Sequence, residues 1–238
     1  TNENPRKIPV KVYGVSNAVA VDTGNRHSCA LLDNRSIACW GRNDNGQLGD
    51  GTTNSSYVPL VVSGISNAIK IGLGSYHTCA VLDNKSVSCW GRNNYGELGN
   101  GEVTSAQDNT SIPMNSVGIQ GVEDVDAKGN STCAVLDNKS VQCWGRNEYG
   151  QLGNGITGGN YSIPVIVSGI SNATKITNGY RHVCAILDNK SVQCWGRNNQ
   201  GQLGDGTFVD RNVPTVVTGM TNVVEIAPGY RHTCLLYT

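Results

Sequence analysis

Apolar and polar positions alternate along this chain in short bursts, and the bursts return in the same order five times. His27-Ser-Cys-Ala-Leu-Leu32 reads as a strand, an Asp-Asn-Arg-Ser turn follows, and Ser36-Ile-Ala-Cys-Trp40 reads as the next strand. The equivalent cysteines Cys29, Cys79, Cys133, Cys184 and Cys234 are spaced 50, 54, 51 and 50 residues apart. Pro9, Pro59, Pro113, Pro164 and Pro214 each stand 20 residues before one of them. From Trp40, Trp90, Trp144 and Trp195 to the next proline the distance varies over 19, 23, 20 and 19 residues, so length variation is confined to one loop per repeat. No segment carries a helical period. A recurrence of this length marks a repeat architecture.

Four strands are predicted in each unit. The first follows the proline (Val10 to Tyr13, Leu60 to Ser63, Val165 to Ser168), and the missing backbone donor suits an outermost strand. A glycine (Gly14, Gly64, Gly118, Gly169, Gly219) then breaks the run before a second strand ending in Val21, Ile71, Val125, Ile176 or Ile226. The two cysteine strands complete the set. Short antiparallel strands repeated in this way describe the blades of a β-propeller. The expected fold is all-β, a single domain over 1–238, with units at 9–58, 59–112, 113–163 and 164–213 and a partial unit at 214–238.

A hairpin centred on Asn34 sets Cys29 opposite Cys39, and the same spacing pairs Cys79 with Cys89, Cys133 with Cys143, and Cys184 with Cys194. Facing residues at a non-hydrogen-bonded position lie about 4.5 Å apart at Cα, near the low end of disulfide geometry. Reduced thiols and zinc are the rivals, since His27 would share a face with the two cysteines. In the third unit Ser131 replaces the histidine while both cysteines stay, which favours disulfides over metal. Four bridges imply an oxidising compartment. Cys234 is expected to be unpaired, because five proline-to-cysteine halves stand against four Cys-Trp-Gly halves. A fragment of a longer propeller is the favoured account of this imbalance. The others are a five-bladed ring with a defective blade and self-association through an open blade by strand addition.

Cys-Trp-Gly-Arg-Asn-x-x-Gly-Gln-Leu-Gly-x-Gly stands at residues 39–51, 143–155 and 194–206, with Gly-Glu-Leu-Gly at 96–99. Running through essentially the whole chain, it resembles the regulator of chromosome condensation repeat. The resemblance implies a propeller, most often seven-bladed, that acts as a binding disc. It leaves the partner open, because members serve as a GTPase exchange factor, as secreted proteins or as β-lactamase inhibitors.

Eighteen basic and eighteen acidic residues balance without a basic run, which argues against a nucleic-acid partner. No apolar stretch is long enough to span a bilayer. All four histidines occupy one slot of the repeat, which fits a structural role better than catalysis. No nucleophile, base and orienting acid stand together, so no enzyme activity, cofactor or metal is expected. Arg42, Arg92, Arg146 and Arg197 also recur; pairing within each blade is the favoured reading, and a cationic ring for an acidic partner or glycan the alternative. The tryptophans are expected to pack blades. Repeat-to-repeat differences concentrate in the loops Thr52 to Val58, Glu102 to Ile112, Ile156 to Ile163 and Thr207 to Val213, which display Tyr57, Asp108, Tyr161, Phe208 and Arg211. Loops on a rigid scaffold are where binding concentrates. The expected function is a secreted or cell-surface protein-interaction module, extracellular or periplasmic. A structural subunit and an inhibitor or GTPase exchange factor are the alternatives.

Overall fold

The cysteine strands of the second, third and fourth sheets are apolar on both faces because each of these sheets lies between two others. The computed structural model describes residues 8–105 and 109–238, and every helix or strand assigned there is a β-strand. The first sheet runs outward through β1 (Ala18–Thr23), β2 (His27–Leu32), β3 (Ile37–Gly41) and β4 (Ser56–Val61). The second contains β5 (Ala68–Leu73), β6 (His77–Leu82), β7 (Val87–Gly91) and β8 (Thr110–Asn115). The third contains β9 (Val122–Lys128), β10 (Ser131–Leu136), β11 (Val141–Arg146) and β12 (Asn160–Ile166). The fourth contains β13 (Ala173–Asn178), β14 (His182–Leu187), β15 (Val192–Gly196) and β16 (Arg211–Val216), and β17 (Val223–Pro228) pairs with β18 (Thr233–Tyr237) in a two-stranded fifth. All pairs are antiparallel. The first strands of successive sheets line a central channel, the arrangement of a β-propeller.

The sequence unit and the sheet are out of phase by one strand. The post-proline segment, expected to open its own unit, closes the preceding sheet as its outermost strand. Its proline lies inside that strand, at a bulge. In the first sheet Cys39 faces Leu60 and Gly41 faces Ser56, so Trp40 stands against three residues that include Pro59. A missing N–H is tolerated at such a place on a sheet edge. Val10 to Tyr13, expected as a strand, is not one: no described strand pairs with it.

The cores lie between sheets rather than inside one. Successive side chains of a strand point to opposite faces, so Cys79 and Val81 of β6 pack toward the third sheet while Ala80 packs toward the first. Four disulfides, Cys29–Cys39, Cys79–Cys89, Cys133–Cys143 and Cys184–Cys194, join facing residues of the two middle strands at Cα separations of 4.1 Å. Cys234 is free and exposed. In each connecting hairpin an Asx turn forms, with Asn34 Oδ1 accepting from the Ser36 amide at 3.1 Å and its hydroxyl at 2.7 Å. The residue with positive φ is the following Arg35, Lys85, Lys139 or Lys190.

Candidate functional site

Antiparallel order brings the turns between first and second strands to the same end of the molecule as the long loops between third and fourth strands. That shared face begins with the Gly-Gln-Leu-Gly segment. Its leucines, Leu48, Leu98, Leu152 and Leu203, are buried. The backbone carbonyl of Gln47 accepts from Trp90 Nε1 at 3.0 Å and from Thr78 Oγ1 at 3.0 Å, both in the next sheet. Glu97 repeats this with Trp144 and Thr132, and Gln151 with Trp195. The tryptophans are thus inter-sheet clamps. Asn43, Asn93, Asn147 and Asn198 organise the loop behind each clamp; Asn43 Oδ1 accepts from the Leu48 amide at 2.9 Å while Nδ2 donates to Thr52 and Asn54 carbonyls.

The histidines make a second inter-sheet bond. His27, His77 and His182 lie 2.9, 2.9 and 2.8 Å through Nε2 from Thr78, Thr132 and Thr233 of the following sheets. Each threonine hydroxyl already donates its hydrogen to a carbonyl, so the histidine Nε2–H is the donor and Nδ1 carries no proton. Burial holds these rings neutral, with pKa values lowered to about 4, 3 and 4.

Above the clamps lies a lattice of arginine and tyrosine. The Arg42 guanidinium stands 5.9 Å from the Tyr76 ring, and Arg92 is 4.6 Å from Tyr76 and 5.5 Å from Tyr95. Arg146 is 4.9 Å from Tyr95, Arg197 is 4.7 Å from Tyr149, and Arg181 is 5.0 Å from Tyr149. Tyr180 and Tyr230 stack at 4.4 Å, with Arg231 5.5 Å from Tyr230. Such contacts contribute about 0.5–1 kcal/mol each at exposed sites. Arg42 pairs with Asp44, Arg92 with Glu97 and Arg146 with Glu148, as expected of blade-internal partners. Arg197 departs from that expectation: Asn199 and Gln202 occupy the corresponding positions, and no described carboxylate pairs with it. Burial pushes the Glu97 carboxyl up, and Arg92 works against it.

The loop residues singled out in the sequence are dispersed. Tyr57 and Phe208 are 80% and 73% exposed. Tyr161 instead packs partly against the core between the third and fourth sheets, and Arg211 is held by Asp205 at 2.8 Å. Neither is freely displayed: core packing holds Tyr161 in β12 and the Asp205 pair holds Arg211 in β16, whereas Tyr57, also in an outer strand, β4, stays exposed. Asp108 lies outside the described residues. The carboxy-terminal ends of the four variable segments also belong to β4, β8, β12 and β16. Tyr76, Tyr95, Tyr149, Tyr180, Tyr230, Arg181, Arg231 and Lys128 were not singled out. The available signal was positional: Tyr76, Arg181 and Arg231 all directly precede a histidine.

The channel itself is acidic and basic by turns. Asp22 Oδ2 accepts from the Leu73 amide at 2.7 Å, and Asp126 Oδ2 from the Asn178 amide at 2.6 Å, so each carboxylate grips the next sheet. Burial raises the Asp126 carboxyl to about 7, with Asp22 and Asp124 adding to the rise. Among the described residues no three His, Cys, Asp or Glu side chains converge as a metal ion would require.

A family model described as RCC1-like domain matches residues 1–235. The ultraviolet-B receptor UVR8 of Arabidopsis thaliana is 34% identical over 82 residues, 34% of this chain and 19% of that protein. Protein RCC2 of Homo sapiens is 39% identical over 69 residues, 28% of this chain and 13% of that protein. Among solved structures, human WBSCR16 superposes with a TM-score of 0.86 at 22% identity, covering 96% of this chain and 60% of that one. Prp20p of Saccharomyces cerevisiae gives 0.84 at 19% identity, covering 96% and 57%. The CRINKLY WD40 ectodomain of the Arabidopsis thaliana receptor kinase ACR4 gives 0.54 at 20% identity, covering 93% and 59%. The chain thus spans at most 60% of the length of these structures.

Proposed function

The chain belongs to the RCC1-like domain family, and from that membership we propose that it is a protein-interaction module of an oxidising compartment, secreted or held at the cell surface. It presents to a protein partner the face built from the first turns and long loops of its sheets. The carrying observation is a division of labour. Clamps, disulfides and asparagine-ordered loops recur from sheet to sheet, whereas side chains that differ between repeats, among them Asp44, Tyr95, Glu148 and Gln200, stand on this face. A rigid base under variable side chains is the arrangement binding favours.

Four cysteine pairs at bonding distance support the oxidising compartment. The likeness to the ACR4 ectodomain supports the same reading. A GTPase-exchange reading draws on Prp20p, which binds Gsp1p and histones; buried disulfides disfavour it for this chain. Thiol titration of natively purified, denatured protein without reductant separates the two. Export leaves the thiol of Cys234 as the single reactive one of the sequence given, whereas nine reactive thiols place the chain in a reducing compartment and sink the proposal. Crosslinking in the extracellular fraction, followed by mass spectrometry, is expected to map a partner protein onto Arg- and Tyr-bearing peptides of this face.

A further inference from the structure

The pattern breaks at three linked positions, and one of the changes puts a lysine at the channel mouth. Where the histidine is present, a glycine stands three residues before it, because the ring lies where a Cβ would be: a Cβ on Gly74 would come within 2.0 Å of His77 Cε1. In the third sheet Ser131 replaces the histidine, Lys128 replaces the glycine, and in the following sheet Val183 replaces the threonine partner. Removing the ring thus opens room for a lysine at the rim. Lys128 Nζ reaches across the mouth and donates to the Thr23 carbonyl of the first sheet at 3.2 Å. A concerted departure from an otherwise consistent local rule points to function.

Resting on the docking reading above, we propose that this mouth receives an acidic tip of the partner protein, a loop or terminus carrying several Asp or Glu side chains. Its contacts are Lys128, Arg181, Arg197 and Arg231. The mouth is a depression of about 310 Å³ walled by Tyr180, Tyr230, Ser75, Asn25 and Lys128, enough for one or two side chains. Among the described residues, no carboxylate pairs with Arg181, Arg197 or Arg231, nor with Arg26 on the opposite rim. The aromatic rings hold these guanidinium groups in place. Arg181 Nη1 donates to Tyr149 Oη at 2.8 Å while its plane and that of Arg197 lie near the same ring. A guanidinium positioned by an aromatic face keeps its edge donors for bidentate binding of a carboxylate, and less freedom is lost when the ligand arrives.

The outer ring decides between a compact tip and a long polyanion. Asp44, Glu97, Glu148 and Asp205 neutralise the arginines there. A nucleic acid or sulfated polysaccharide leaving the mouth would run over these carboxylates, whereas polyanion binders continue positive charge along the strand. An acidic tip meets the inner cations at the rim, with Asp22 and Asp126 below Lys128 opposing deeper entry into the channel.

Fluorescence anisotropy with a labelled short polyglutamate peptide tests this on the full chain. Arg181→Gln/Arg197→Gln/Arg231→Gln is expected to weaken binding about tenfold or more, a change of 1.4 kcal/mol or more. A charge-matched control on the opposite face, Arg35→Gln/Lys139→Gln/Lys190→Gln, is expected to leave it within about twofold, apart from long-range screening effects. Equal weakening by the control, absence of peptide binding, or tighter binding of heparin or single-stranded DNA overturns the proposal. If the triple variant does not fold, Arg231→Glu at its exposed position replaces it, with about a tenfold loss again expected; unchanged binding then overturns the proposal. A natural partner that binds the triple variant as tightly as the parent leaves the docking face standing and removes the mouth as its receptor.

Discussion

The histidine two residues before a cysteine is one half of a bond whose other half lies in the next repeat. His77 and Thr132 are 55 residues apart, and no local pattern announces the pair. Column comparison does: histidine is followed by threonine in the next sheet, and Ser131 by Val183. The structural role expected for the histidines was therefore legible, while its mechanism needed the sheets to be set side by side. Thr132→Val leaves the His77 Nε2–H without an acceptor and should cost about 1–3 kcal/mol. The Glu97 carbonyl keeps Trp144 as a donor, so the loss falls on the histidine. Adding His77→Ser recreates the natural Ser131 and Val183 combination. The double variant should be less destabilised than the sum of the two single ones, read from denaturant midpoints in a double-mutant cycle. Additive costs would mean that the two side chains act independently.

At the scale of the element, the clamp between the Gly-Gln-Leu-Gly turn and the next tryptophan depends on two glycines with different duties. Gly99 has φ +68° and lies against Trp144, where a Cβ would sit 2.9 Å from Nε1. Gly101 has φ +89°, and the nearest atom to its Cβ would be 3.8 Å away. Gly101→Ala should cost only the positive-φ strain, about 1–2 kcal/mol. Gly99→Ala should add overpacking of about 1–3 kcal/mol. Equal melting temperatures for the two variants would show that the tryptophan is not held by this contact. The turn itself, the strands and the cysteine pairing were readable, because each is written within a dozen residues and repeats. The owner of the post-proline strand was not readable, since period alone cannot say whether a strand opens one sheet or closes the last. The arginine and tyrosine lattice escaped for a related reason: Arg146 meets Tyr95, and Arg197 meets Tyr149, only across a sheet boundary. Tyr161 and Arg211 looked like loop residues because the strands that hold them begin before the proline.

For the whole molecule, inter-sheet contact makes stability depend on pH in two opposing ways. His27, His77 and His182 have folded pKa values of about 4, 3 and 4, below the ordinary 6.5. Their contribution is complete above that ordinary value and is lost as pH falls through the folded ones, because the unfolded chain then binds more protons. Asp126, raised to about 7 from 3.8, acts in reverse: its contribution is complete in acid and is lost as pH rises through 7. Between these limits three histidines oppose Asp126, and Asp22, Asp124 and Glu97, whose carboxyls burial also raises, act in the same sense as Asp126; each proton of difference changes stability by roughly 1.4 kcal/mol per pH unit. Above the histidines' ordinary value they no longer titrate in either state, so the melting temperature should slip as pH rises from about 6.5 through 7 and Asp126 ionises. Asp126→Asn keeps an acceptor for the Asn178 amide and removes the charge that burial opposes. It should raise the melting temperature most at pH 8 and by clearly less at pH 5, where the native carboxyl is already protonated and only the unfolded one is ionised. A gain of the same size at both values would show that the substitution improves packing and that ionisation at the channel wall plays no part.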